Sequence, residues 1–143
     1  MIGQNNIKEI LTKYRTIAVV GLSRDPNKDS YKVSSYLKTN GYTIIPVNPF
    51  ADQVLGEKSY TSLFNIPLEI QKKIEIVDIF RPSKVVPVIV EEVIKLKRKH
   101  GKPHVIWMQL NIIHDEAAQK ARNSGLQVVM NKCMMVEHLK ISK

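Results

Sequence analysis

Five short runs rich in β-branched and other apolar residues punctuate the chain: Ile17–Val20, Thr43–Val47, Ile74–Phe80, His104–Leu110 and Leu126–Met130. The segments between them are long enough for helices and place their apolar residues at helical spacing. Val33, Tyr36 and Leu37 share one face between Ser30 and Gly41. From Ser83 to His100, a stripe of Val85, Ile89, Val93 and Leu96 faces inward while Lys95, Lys97, Arg98 and Lys99 crowd the solvent end. Pro87 is the fourth residue of that helix if Ser83 caps it, so the helix starts a turn later or loses one hydrogen bond. Asp115 to Ser124 is alanine-rich with acids in its first turn, and Asn6 to Tyr14 predicts a short extra helix at the N-terminal end. Gly41, Gly101 and Gly125 each close a helical pattern directly ahead of an apolar run, where glycine is the usual left-handed stop.

Nearly continuous apolar strands that alternate with helices belong to a parallel sheet covered on both faces. The pattern therefore predicts an α/β fold, a Rossmann-like doubly wound domain of three layers with a mainly parallel five-stranded sheet. One domain is expected over residues 1–143, with 1–15 as a helical extension. Ligands of such folds bind outside the carboxyl ends of the strands, beside the point where strand order reverses.

Composition narrows the partners. Lys and Arg number 22 against 13 Asp and Glu, a formal charge of +9 that draws anions: phosphorylated small molecules, nucleic acid or anionic lipid. No apolar run approaches the roughly 18 residues of a membrane span and the first residues lack the layout of a secretory signal, so a cytoplasmic location and no membrane partner are expected. The single cysteine, Cys133, excludes an internal disulfide and any multi-cysteine zinc site.

Polar and conformationally special residues collect at the strand ends. After the first strand the chain reads VVGLSRDPNKDSYKV, where Gly21 allows a close turn, Ser23 offers a hydroxyl, and Lys28 and Ser30 arrive as the next helix begins. A helix N-terminus has free amides and a partial positive charge, which makes this loop a candidate phosphate cradle, with Ser30 acting as an ordinary cap in the blander alternative. The stretch GLSRDP holds one glycine, and the second strand ends in Asn48-Pro49 where a dinucleotide site has an acid for the ribose hydroxyls. NAD is thus disfavoured, but a nucleotide with an extra ribose phosphate is not. Arg81 follows the third apolar run where ligand is expected, whereas Arg24 reads as a solvated charge.

These residues carry a resemblance. IAVVGLSRDPNKDSYKVSSYLKTNGYTIIPVNPFADQVLGEKSY, then DIFRPS, HVIWMQLNI and GLQVVMNKC in that order resemble the small single-domain CoA-binding protein family, itself similar to the CoA-binding N-terminal domain of the succinyl-CoA synthetase alpha subunit. The likeness runs from about Thr16 to Glu137. It implies a domain that binds coenzyme A or an acyl-CoA, with Gly21, Leu22, Ser23, Lys28 and Ser30 around the phosphates. Val47, Asn48 and Pro49 would border the adenosine, Phe80 and Arg81 would line the crevice, and Trp107, Gln109, Lys132 and Cys133 would complete the site. The chain has Asn111 where the family usually has glycine, and Asn131-Lys132-Cys133-Met134 where Asp-Arg-Cys-Pro is usual.

The four histidines, His100, His104, His114 and His138, show no metal spacing, and no nucleophile with an adjacent base is apparent, so no catalytic residue is expected. The expected function is non-catalytic: a carrier, sensor or accessory subunit, with a protein partner or homo-oligomer left open. The alternatives are a small enzyme or enzyme subunit acting on a CoA thioester, or a nucleic-acid module on the KLKRKH stretch, Lys95 to His100. Few aromatics and the favourable setting of basic residues at a helix C-terminus count against the last. Asp78, inside an apolar strand, reads as hydrogen-bonded to a loop near the strand end. Cys133 reads as a small half-buried residue, although the adjacent Lys132 would favour a thiolate able to form a mixed disulfide with coenzyme A.

Overall fold

The computed structural model describes residues 3–142; residues 1, 2 and 143 of the expected 1–143 span lie outside the described residues. Helix α1 (Gln4–Lys13) leads into strand β1 (Thr16–Val20), helix α2 (Asp29–Thr39) and strand β2 (Thr43–Val47). A short hairpin, β3 (Gln53–Val54) and β4 (Glu57–Lys58), a single 3-10 turn at Leu63–Asn65 and the short helix α3 (Leu68–Gln71) follow. Then come β5 (Ile76–Ile79), a second 3-10 turn at Ser83–Val85, α4 (Val86–His100), β6 (Val105–Met108), α5 (Asp115–Asn123), β7 (Gln127–Val129) and α6 (Met134–Ile141).

The five long strands form one parallel sheet in the order β2-β1-β5-β6-β7. Side chains alternate between its faces. Ala18, Val77, Ile79, Ile106, Met108 and Val128 face α4 and α5, in a core that includes Val86, Ile89, Val90, Val93, Ala117, Ala118 and Ala121. Ile17, Val19, Ile76, Val105, Trp107 and Val129 face the other way, onto Ile7, Ile10 and Leu11 of α1, Val33 and Leu37 of α2, and Met134 of α6. The expected three layers are therefore present.

Local signals decide the element ends. Gly41, Gly101 and Gly125 stop α2, α4 and α5 at positive φ values of 93°, 76° and 88°. The stretch expected as one helix from Ser83 is a 3-10 turn followed by α4, in which Pro87 occupies the first helical turn, where its missing N–H is harmless. The third run is shorter than expected because Glu75 is used at its base, where its carboxylate accepts from the amides of Arg15 and Thr16 at 2.9 and 3.1 Å. The basic end of α4 stands at the helix C-terminus, and Lys97 Nζ donates to the Pro103 carbonyl at 3.3 Å. Among the described residues no helix is long and apolar enough to cross a membrane.

Candidate functional site

Register aligns the strand ends: Val20 pairs with Val47 on one side and with Ile79 on the other, and Ile79 pairs with Met108. Gly21, Asn48 and Phe80 thus emerge side by side on one rim. From β1 the chain steps outward to β2, then crosses back to place β5 on the opposite side of β1, so strand order reverses between β1 and β5. A crevice of about 660 Å³ opens there. Gly21, Ser23, Val47, Asn48, Pro49, Phe80 and Arg81 line it on the strand side. The segment Thr61 to Leu63 and the α4 residues Val88, Ile89 and Glu92 form its walls.

The floor depends on backbone conformation. Gly21 sits at φ 89°, donates to the Val47 carbonyl at 2.9 Å, and leaves little room for a side chain: a Cβ would lie 3.1 Å from the Phe80 carbonyl oxygen and 3.2 Å from Arg81 Cδ, so either neighbour would have to give way. The loop beyond it is fixed by its own polar groups. Ser30 Oγ accepts from the Ser23 amide at 2.9 Å, Ser23 Oγ from the Asp25 amide at 3.0 Å, and Asp25 Oδ1 from the Asn27 amide at 2.9 Å. Asn48 stitches the first loop to the second, because its Nδ2 donates to the Leu22 carbonyl at 2.9 Å while its Oδ1 accepts from the Phe50 amide at 2.7 Å. Lys28, the cap residue of α2, has no side-chain acceptor for helix amides, and with the Tyr31 and Lys32 amides bonded to its carbonyl, those of Asp29 and Ser30 are left for solvent or an anion.

Charge is polarised along the crevice. Arg81, exposed at the strand end, is its one basic lining residue and Glu92 its one acid among the described residues. Glu92 lies about 9 Å along α4 from Val86, six residues at 1.5 Å each. Partial burial pushes its carboxyl above the usual range, against the pull of Lys95.

Half of the expected site residues stand elsewhere. The Leu22 side chain is fully buried with α1 and α2 residues, and its carbonyl accepts from Asn48, so only its backbone amide could face a ligand. Ser30 is not the cap of α2: it is the second helical residue, and its hydroxyl anchors the Ser23 loop. Trp107 is fully buried, with Nε1 donating to the Lys132 carbonyl at 2.8 Å, so it fastens the end of β7 instead of touching ligand. Trp107→Phe is accordingly expected to cost about 1–2 kcal/mol, from the lost hydrogen bond and lost volume, in the chemical-denaturation midpoint. Lys28 and Lys132 line neither the crevice nor the cavity described next. Gln109 and Cys133 line a second cavity of about 280 Å³ on the α2 and α6 side of the sheet, and Phe80 lines both spaces. Asn111 takes φ 69°, a left-handed conformation asparagine tolerates, and its amide donates to Asn131 Oδ1 at 2.7 Å, so this turn forms without glycine.

Sequence reasoning missed the Thr61–Leu63 wall and the α4 face of Val88 and Glu92. The wall is tied to β2 by backbone pairing, with the Asn48 amide donating to the Tyr60 carbonyl at 2.9 Å and the Tyr60 amide to the Pro46 carbonyl at 3.1 Å, and it is held from behind by the buried Leu63 side chain and by Gln71 Nε2, which donates to the Leu63 carbonyl at 3.1 Å. It also misjudged Asp78, which is fully buried in mid-strand with neither carboxylate oxygen bonded to another described residue, rather than tied to a loop. Burial holds its pKa well above the usual carboxylate range. The histidines are engaged locally. His114 Nδ1 accepts from the Ala117 amide as the α5 cap, His138 Nδ1 meets Tyr36 OH at 2.6 Å, His100 Nε2 meets Gln71 Oε1 at 2.8 Å, and His104 stacks on Tyr14. Among the described residues no three His, Cys, Asp or Glu side chains are grouped to hold a metal.

Comparison with known proteins accords with this geometry. The chain is 40% identical over 132 residues to the uncharacterized protein YneT of Bacillus subtilis, covering 92% of this chain and 91% of that one. A hypothetical protein from Pyrococcus horikoshii OT3 superposes with a TM-score of 0.89 at 41% identity, covering 99% of this chain and 94% of the other. Over 80 residues, 54% of this chain but only 11% of the other, it is 39% identical to the ADP-forming acetate–CoA ligase II of Archaeoglobus fulgidus. A model of the CoA binding domain family matches residues 15–139, from just after α1 into α6, and the chain belongs to that family.

Proposed function

We propose that this protein binds coenzyme A or an acyl-CoA without transforming it, as a carrier, sensor or accessory subunit in the cytoplasm. The observation that carries the reading is the crevice at the reversal of strand order, floored by a glycine in the left-handed conformation packed tightly against the Phe80 carbonyl and flanked by Arg81. A phosphate-bearing ligand needs close backbone approach and a cation, and both converge there. The polarity of the crevice orients the ligand: phosphates toward Gly21 and Arg81, and the exocyclic amine of adenine toward the Glu92 carboxylate.

Selectivity against NAD rests on the end of β2. Asn48 offers no acid to a ribose diol, and both ends of its carboxamide are held by backbone groups. Calorimetric titration with coenzyme A, NAD and ATP at two salt concentrations tests the reading. Coenzyme A is expected to bind at least ten-fold more tightly than either control and to keep that margin at the higher salt. Three equal, weak, salt-sensitive isotherms would overturn it. In the same assay Arg81→Ala should weaken coenzyme A by about 1.5–3 kcal/mol, the worth of a charge-assisted contact; unchanged affinity with an intact fold removes Arg81 from the site.

A further inference from the structure

Helices that cross back between parallel strands end on the face where the strands begin, at the opposite end of the sheet from the crevice. Here that face is basic. Arg15 stands just ahead of β1, Lys73 ahead of β5 and Lys102 ahead of β6, while Lys97 Cε packs over Gly125, ahead of β7, 3.4 Å from where a Cβ would stand. These four strands are neighbours in the sheet, so at about 4.8 Å per strand the cations form a row roughly 14 Å long. Lys13 at the end of α1 and Lys99 at the end of α4 flank the row from the two helix layers. None of the six pairs with a carboxylate among the described residues, and the Glu75 carboxylate beside them is spent on the amides of Arg15 and Thr16. Their convergence is felt at His104, which burial, then Lys97, Lys102 and Lys13, hold below the usual histidine range against the pull of Glu75. The helix dipole accounts for basic residues at the ends of α1 and α4, but Arg15, Lys73 and Lys102 lie outside the helices.

Cations held together without counter-charge call for an anionic partner. What the face lacks says which one. The exposed large apolar side chains, Phe50, Val88 and Leu110 among them, all belong to other segments. Membrane-binding surfaces carry apolar anchors, and protein interfaces are poor in lysine and have an apolar centre. Tyr14 is already stacked on His104, so the bases of a single strand find no free ring here. Interfaces with nucleic acid backbone are polar and strongly positive, and a duplex offers one charge per roughly 1.7 Å, about eight along this row. We propose that this face binds double-stranded nucleic acid through its phosphates, without reading its sequence.

Fluorescence anisotropy of a labelled DNA duplex titrated with the full chain tests this. Two duplexes of unrelated sequence are expected to bind equally, each losing about a thousand-fold in affinity between about 50 and 200 mM salt, the loss for six phosphate contacts. Lys13→Gln, Lys73→Gln and Lys99→Gln together, at exposed positions, should make the slope of log affinity against log salt shallower by about 2.7. Lys28→Gln, Lys32→Gln and Lys84→Gln together remove the same charge at the helix starts on the opposite face and should leave the slope unchanged. An equal loss in both triple variants, preference in competition for single-stranded DNA or for phosphatidylglycerol vesicles, displacement of the duplex by coenzyme A, or no binding at about 50 mM salt would each overturn the proposal.

Discussion

Gly21→Ala is expected to give a folded protein whose affinity for coenzyme A has fallen at least ten-fold. Two effects converge on this position. At φ 89° an L-residue pays the left-handed penalty of about 1–2 kcal/mol, and the new methyl group meets the Phe80 carbonyl at 3.1 Å and Arg81 Cδ at 3.2 Å. The strain is relieved by pushing the end of β5 away, which moves Arg81 and narrows the crevice where phosphate would approach. Gly41→Ala is the control. Gly41 has a similar φ of 93°, but its Cβ would meet nothing within 4 Å, so that variant should lose stability by a similar 1–2 kcal/mol and no affinity. Denaturation midpoints and calorimetry on the two variants separate backbone strain from site geometry. Equal affinity of Gly21→Ala and the parent would show that ligand does not approach this loop.

Asp78→Asn should stabilise the protein at neutral and alkaline pH and lose that advantage in acid. The carboxyl is fully buried, burial raises its pKa well above the usual 3.8, and neither oxygen has a partner among the described residues. Because the folded state holds the proton more tightly than the unfolded chain does, Asp78 contributes its full stability below the unfolded pKa. That contribution is lost as pH rises toward the folded pKa. Asparagine does not titrate. The stability difference between variant and parent should therefore grow from about pH 4 upward, with a slope of up to roughly 1.4 kcal/mol per pH unit. Urea denaturation at a series of pH values measures it. A difference that is flat with pH would mean that Asp78 is ionised and satisfied in the folded protein.

The contrast between Asp78 and Gly21 shows what could be read from sequence. Strand runs, helix stripes and glycine stops are local signals, and they predict the sheet, its layers and the rim where the crevice opens to within a residue or two for most elements. Residues whose role is set by backbone position at that edge, Gly21, Asn48 and Arg81, were legible for the same reason. Side-chain direction was not. Leu22 and Trp107 lie in stretches that the family resemblance assigns to the site, yet both side chains turn into the core on the α1, α2 and α6 face. Ser30 carried a cap signal, but its hydroxyl is drawn to the Ser23 amide seven residues earlier, a pairing that depends on how the loop folds back. The Thr61–Leu63 wall has no periodic pattern; the pairing of Tyr60 with Pro46 and Asn48 and the Gln71 bond to the Leu63 carbonyl, both long-range or tertiary, bring it to the rim. Lys132 signalled charge, and the fold uses its carbonyl.

Residue-resolved amide NMR during titration with coenzyme A tests most directly where that ligand binds. The amides of Gly21, Ser23, Asn48, Leu63 and Arg81 should shift together and saturate with one affinity, while those of Lys95 to Lys99 at the far end of α4 stay in place. Shifts confined to that basic helix end, or no saturable shift at the rim, would contradict the assignment of the crevice as the coenzyme A site.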